Sequence, residues 1–269
     1  MTDSLMIDPA DISVVIPTLG ARSGLLERAA RSVVGQRLII VDDATPDDSV
    51  TGVAHAVGAV LVRRETNGGV AAAQNSGLDV VDTPWVRFLH SDDVLKPFTS
   101  LRAMSPDAVA LQSRSAYPPD GSVPSADDLL LHRVGTHISH YVVRTDVART
   151  LRFDERLRSW EDWDFIYRLS LTELPIEALD APFVEIGHDA TDRLSTSPAM
   201  LNGIVFLYDK HATALAQHRA ARSAWEFKVA RAYARSHQRR SALAWLLRSA
   251  ITEPWHPRRW LAVLRLVFR

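Results

Sequence analysis

An α/β fold is what this sequence predicts: a mostly parallel central sheet flanked by helices, followed by a C-terminal helical extension. Three observations predict it. Near-continuous β-branched and apolar runs mark strands buried on both faces. Stretches with helical apolar spacing separate those runs. Each run also stops in polar residues, at 17–20, 42–48 and 90–93, which parallel pairing brings to one edge of the sheet.

The elements follow in order. Residues 11–17 form the first strand. Leu25, Leu26, Ala29, Ala30, Val33 and Val34 recur at helical spacing, with Ser23 as an N-cap and Gly35 as the stop. Residues 38–41 form a second strand, and Pro46 can open the helix that runs to about Val57. Residues 59–63 form a third strand. Asn67-Gly68-Gly69 then leads into an alanine-rich helix over 71–80; the two glycines allow a close backbone approach, and the helix start favours an anion. Trp85 to Leu89 is a fourth strand, ending at His90-Ser91-Asp92-Asp93. These acids have two readings: oxygen ligands for Mg²⁺ or Mn²⁺ carried by a substrate's phosphates, or a turn that caps the next helix.

Further on, residues 108–112 read as a strand and 117–121 as turn chemistry. Residues 136–144 alternate like a strand carrying His137 and His140, and 176–186 reads as a strand pair. Helical spacing returns over 199–218, 220–236 and 241–251, and again after Pro254 and Pro257. The domain boundaries expected are 1–197 for the α/β domain, with 1–105 as its nucleotide-binding half and 106–197 as the other half, and 198–269 for the helical extension.

These residues resemble the inverting nucleotide-sugar glycosyltransferases of family 2, which have the GT-A fold. The resemblance is carried by Val14-Val15-Ile16-Pro17-Thr18, by Ile40-Val41-Asp42-Asp43, by Asn67-Gly68-Gly69 through Gln74-Asn75, and by Phe88-Leu89-His90-Ser91-Asp92-Asp93. Phe153-Asp154-Glu155 and Glu161-Asp162-Trp163-Asp164 with Arg168 resemble the family's acceptor-side signature. The resemblance implies donor contacts at Pro17, Thr18, Leu19, Asp43, Asn67, Gly68, Gly69, Gln74, His90, Ser91 and Asp92. It implies Asp92 and His188 as ligands of Mn²⁺ or Mg²⁺, Asp162 as the general base, and Arg193 and Ser195 in a loop over the diphosphate. The sequence departs from the family's pattern where His90 replaces an aspartate, Gln74 an arginine, and Leu19 and Gly20 an aromatic and an asparagine.

The implied partners are a UDP-, dTDP- or GDP-linked sugar and a glycan, lipid-linked, protein or small-molecule acceptor, in keeping with cell-surface glycan biosynthesis. Two other functions fit the same sheet. One is a catalytically impaired nucleotide-sugar-binding or scaffold protein. The other is a nucleotidyltransferase, for which Pro17-Thr18-Leu19-Gly20-Ala21-Arg22 is a poor phosphate loop.

Composition bounds the rest. The 269 residues contain no cysteine, which removes disulfides and thiolate chemistry. The acidic first eleven residues are no secretory leader, and no apolar run is long enough to span a bilayer. A cytoplasmic location is expected. Residues 201–269 hold 13 basic and 3 acidic side chains, whereas the remainder holds 18 basic and 29 acidic. The basic, Trp- and Leu-rich last helix therefore suits either peripheral contact with an anionic membrane or self-association. Nucleic acid is not an expected partner, since no DNA- or RNA-reading motif accompanies the charge.

Overall fold

The computed structural model describes residues 4–20, 24–113, 122–179, 183–187 and 198–267. Ser23, the turn at 117–121, His188, Arg193 and Ser195 lie outside the described residues. The chain divides into two compact units, one of Met1–Ser125, Val134–Arg156 and Glu161–Thr191, the other of Ala126–Arg133, Leu157–Trp160 and Asp192–Arg269.

The first unit begins with β1 (Leu5–Ile7) and β2 (Ile12–Thr18), followed by α1 (Leu25–Arg31), β3 (Arg37–Asp42), α2 (Ser49–Val57), β4 (Val60–Arg63) and α3 (Val70–Asp79). It continues with β5 (Trp85–Phe88), β6 (Val94–Leu95), β7 (Leu101–Ala103) and β8 (Ala110–Ser113). After α4 (Ala126–Leu130), which belongs to the other unit, come β9 (Tyr141–Arg144), α5 (Thr145–Leu151), α6 (Glu161–Ser170), β10 (Ile176–Leu179) and β11 (Val184–Glu185).

Seven strands form the central sheet in the order β10-β8-β9-β5-β2-β3-β4. β2 pairs in parallel with both β3 and β5, and β3 with β4, whereas β9 runs antiparallel to β5 and β8. Every residue of β2 is buried, as expected of a strand covered on both faces. The chain leaves β2 toward β3 and β4 and returns to β5 on its other side. A topological switch point therefore lies beyond Thr18 and Phe88, where sheets of this kind bind ligands.

Four readings of the sequence need correction. The stretch 136–144 is not one strand: a 3-10 turn, Ile138–His140, precedes β9. The Ile138 N–H goes to Asp162 and the Ser139 hydroxyl to Asp93, so these groups serve side chains rather than a strand ladder. Residues 176–186 hold two strands that do not pair with each other, because β10 joins β8 and β11 joins β6. Pro46 does not open α2. Asp42 accepts the Thr45 N–H and Asp47 the Ser49 N–H, which holds this segment as turns until the helix starts at Ser49. The helical stretch 199–218 is broken at His211, a break that apolar periodicity does not register.

The second unit contains α4 and the helices α7 (Pro198–Lys210), α8 (Ala212–Gln217), α9 (Arg219–Arg235), α10 (Arg239–Thr252) and α11 (Pro257–Val267). Trp225 is its fully buried centre and donates its indole N–H to the Leu130 carbonyl at 2.8 Å. Glu226, also fully buried, accepts from Tyr208 and Arg222. Trp255, Trp260, Leu261, Leu264 and Val267 are exposed. No described helix is long and apolar enough to cross a membrane.

Candidate active site

Two clusters form where the parallel strands end. The first is built on Asp43, just past β3. One carboxylate oxygen accepts from Arg64 Nε at 2.8 Å and from the Gly68 N–H at 2.9 Å; the other accepts from the Gly69 N–H at 2.7 Å. Gly69 has φ +82°, which an L side chain rarely adopts, and it leads directly into α3. Arg64 also donates to the Ala72 carbonyl and to Ser76. Asp43 thus ties the loop from β4 to α3 against the end of β3. Its N–H donates to the Thr18 carbonyl, and Thr45 Oγ accepts the Gly20 N–H, so the ends of β2 and β3 are latched together. Of the other residues expected at the donor, Pro17 and Thr18 are buried in β2, Leu19 is exposed beyond it, and Asn67 is exposed at the loop tip. Gln74 is fully buried in α3 and its amide has no hydrogen bond among the described residues.

The second cluster gathers around the turn after β5. Asp93 holds the turn: its carboxylate accepts the Ser139 hydroxyl at 2.7 Å and the Gly187 N–H at 2.9 Å. Ser139 Oγ in turn accepts the His90 N–H. Gly187 packs directly on the Asp92 backbone, and a Cβ there would overlap it. Beneath the turn, the fully buried Arg87 donates to the carbonyls of Ser139 and Phe183 and lies 4.0 Å from the centre of the Phe183 ring. Burial pushes its guanidinium down to about 9, against the pull of Asp93.

With Asp93 so occupied, Asp92 is the acid left available. Its carboxylate has no hydrogen bond among the described residues, while its carbonyl accepts from Arg28. On the other side of the turn, His90 Nε2 lies 3.5 Å from Asp162 Oδ2, an ion-pair contact. Asp162 is in the first turn of α6, and its Oδ2 also accepts the Ile138 N–H at 3.1 Å.

Helix geometry separates the acids of α6. Glu161 and Asp164 are buried, and Asp164 is paired with Arg168 at 2.8 Å. Arg168 also donates to the carbonyls of Leu151 and Arg152 and so docks α6 on the end of α5. Asp162 is only partly buried, with 13% of its side chain exposed.

Charges at this corner are strongly coupled. Burial raises the Asp162 carboxyl, but the His90 charge and contact outweigh that and hold it below the usual carboxylate range. Burial likewise opposes a charge on His90, yet Asp162, with Asp93 and Glu161, raises the imidazole to about 10. Burial and the charge of His90 lower His137. Burial and then Asp162 raise Glu161 to about 7. The corner therefore presents Asp162 as a carboxylate, with Oδ1 shielded from solvent and without a hydrogen bond.

The structure brings His90, Ser91, Asp92 and Asp162 together, with Asp43, Gly68 and Gly69 in the separate cluster after β3. Sequence reasoning missed Asp93, Ser139, Gly187 and Arg87, which hold the turn. A paired acid after a strand signals that one of the two is structural. Nothing local marks Ser139 or Gly187, because their partners are 46 and 94 residues away.

The mostly parallel sheet, with two polar clusters at the ends of its strands, is similar to known proteins in both sequence and fold. Residues 13–106 match the model for glycosyl transferase family 2. Over 105 residues it is 39% identical to the succinoglycan biosynthesis protein ExoW of Rhizobium meliloti, covering 35% of this chain and 33% of that protein. Over 208 residues it is 29% identical to the pre-mycofactocin glycosyltransferase of Mycobacterium tuberculosis, covering 68% and 44%. The chain spans less than half the length of these curated relatives. Among solved structures, the mannosyltransferase PcManGT of Pyrobaculum calidifontis, in complex with GDP-Man and Mn²⁺, superposes with a TM-score of 0.57 at 14% identity, covering 97% of this chain and 87% of that one. TarS 1-349 of S. aureus does so with a TM-score of 0.52 at 14% identity, covering 94% and 78%. At these identities the solved structures speak for the fold.

Proposed function

We propose that this chain is an inverting glycosyltransferase, which moves a sugar from a nucleoside-diphosphate donor to an acceptor hydroxyl with Asp162 as general base. The observation that carries this reading is the pair of carboxylates, Asp92 and Asp162, each with an oxygen within 4.8 Å of a His90 nitrogen at the switch point of the sheet.

A sugar hydroxyl is a weak nucleophile, so a carboxylate within hydrogen-bond reach lowers the barrier by taking its proton as the new bond forms. Asp162 Oδ1 accepts that proton while the acceptor oxygen attacks the anomeric carbon. The bond from that carbon to the diphosphate oxygen breaks on the opposite side, its electron pair leaves with the nucleoside diphosphate, and the configuration inverts. The positive charge on His90 keeps Asp162 ionised beforehand.

A divalent ion suits the donor end. Asp92 offers a carboxylate with no competing hydrogen bond, whereas Asp93 does not, and one carboxylate plus substrate phosphates is a common way to hold Mg²⁺ or Mn²⁺. Such an ion would neutralise the charge that develops on the leaving diphosphate. Mn²⁺ with GDP-Man in PcManGT and UDP-GlcNAc in TarS fit this donor class.

The test is a panel of nucleotide sugars screened for thermal stabilisation with Mn²⁺, since a ligand that binds only the folded state raises its stability. Transfer is then assayed with the best donor. Free nucleoside diphosphate is the expected product, and Asp162→Asn is expected to keep donor binding while losing about 10²–10⁴-fold in transfer. Pyrophosphate release would make the chain a nucleotidyltransferase. Donor binding with neither transfer nor hydrolysis would make it a binding protein. Asp92→Ala is expected to weaken donor binding only when Mn²⁺ is present; identical titrations with and without the ion would remove Asp92 from this role.

A further inference from the structure

Three side chains at the β5 corner bring donor atoms close to one another. His90, His137 and Asp162 each bring one ligand atom within 4.8 Å of the other two. His90 Nε2 and Asp162 Oδ2 are 3.5 Å apart, and the His90 and His137 rings are 4.6 Å apart between centroids. His90 Nε2, His137 Nδ1 and Asp162 Oδ1 are all shielded from solvent and make no hydrogen bond among the described residues. Buried polar atoms are nearly always hydrogen-bonded, so three such atoms in one cluster, two of them held only by ion-pair contacts of 3.5 Å (His90 to Asp162) and 3.7 Å (His137 to Asp93), point to a missing group.

The ligand types say which group. Two imidazole nitrogens and one carboxylate suit Zn²⁺ and its first-row neighbours, whereas Mg²⁺ and Ca²⁺ prefer oxygen alone. Ligand atoms around a tetrahedral zinc are about 3.3 Å apart, given metal–ligand distances near 2.0–2.1 Å. His90 Nε2 and Asp162 Oδ2 already stand at nearly that separation, and a His137 donor atom lies within 4.8 Å of a donor atom on each. The surroundings favour a cation: Asp93 Oδ2 is 3.7 Å from His137 Nδ1, and Glu161 precedes Asp162 in α6. The Ile138 N–H already orients the Asp162 carboxylate, as outer partners of metal ligands do.

We propose that His90 Nε2, His137 Nδ1 and the Asp162 carboxylate form a transition-metal site of the zinc type, of which Asp92 is not a ligand. Loading it occupies the acid assigned to take the acceptor proton and so blocks transfer. That consequence rests on the transferase reading, but the binding does not.

The test is a Co²⁺ titration of tag-free, metal-stripped protein, followed by visible absorption, with Zn²⁺ as competitor. One equivalent of Co²⁺ with the intense spectrum of a four-coordinate site is expected, displaced by Zn²⁺ and not by an excess of Mg²⁺. His137→Gln is expected to weaken binding about tenfold or more, while Asp92→Asn leaves both spectrum and affinity unchanged. His90→Gln is a second probe, and thermal melts of each variant report whether it is folded. The site is overturned by absent Co²⁺ binding in the wild type, by wild-type affinity in both folded histidine variants, or by loss of the spectrum in Asp92→Asn. If Co²⁺ fails to bind while sugar transfer with Mn²⁺ persists, this site alone falls; if Co²⁺ binds and no donor does, only the transferase reading falls.

Discussion

Asp43 and Asp162 are both carboxylates beside the ends of parallel strands, and they are spent differently. Asp43 has both oxygens taken, by Arg64 and two backbone N–H groups, so it holds a loop in place. Asp162 has one oxygen committed to Ile138 and His90 and the other without a hydrogen bond. A saturated acid builds shape, whereas an acid with an unspent lone pair can still take a proton or a metal. Burial alone does not separate the two, since both are largely removed from water.

Substitution at each acid is the sharpest way to break this comparison. Asp162→Asn is expected to keep its melting temperature within a few degrees of wild type while losing transfer as above. Asp43→Ala strands the Arg64 charge and two N–H groups, and is expected to cost about 3 kcal/mol or more, a fall of roughly 10 °C in melting temperature for a domain of this size. Equal loss of stability in both would erase the distinction.

Glu161 gives a smaller effect with a definite sign. Its carboxyl is raised to about 7 from an ordinary 4.5, so the folded state binds the extra proton between those values. Its contribution to stability therefore falls as pH rises through that window and is least favourable above 7. Glu161→Gln is expected to gain on the order of 2 kcal/mol over wild type at pH 8 and nothing at pH 4, read from denaturant melts at the two pH values.

The smallest effect is in the helical unit. Burial, with the charge of Lys228, lowers His132 to about 3 from 6.5. Here the unfolded chain binds the proton first, so stability rises with pH from about 3 to 6.5. Acidification from pH 7 to 5 is expected to lower the melting temperature of wild type, and His132→Phe to flatten that slope.

The parallel half of the fold was legible because its inner strands are largely buried on both faces and write continuous apolar runs, as residues 12–16 and 38–41 do, whereas the edge strand β4 has no fully buried residue. The alternation at 136–144 misled because the polar groups of Ile138 and Ser139 are turned to Asp162 and Asp93, a long-range use that local pattern does not record. β1 and β11 are too short to carry periodicity, and each pairs with a strand about 90 residues or more away in sequence. Within the site, Asp92 and Asp162 were legible by resemblance and by their place after a strand and at a helix start. Asp93 read the same as Asp92, and only the hydroxyl of Ser139 and the N–H of Gly187 tell the two apart.

The turn after β5 is stitched to chain that is made much later. Asp93 reaches Gly187, Lys96 donates to the Phe183 carbonyl, and β6 pairs with β11. On a ribosome, the early strands can therefore form while the turn after β5 still lacks these partners. The corner becomes complete only when residues 183–187 emerge and close a loop about 90 residues long, a step with an entropic cost that local segments do not bear. A nascent chain stalled before that point would carry the sheet without a finished reaction centre.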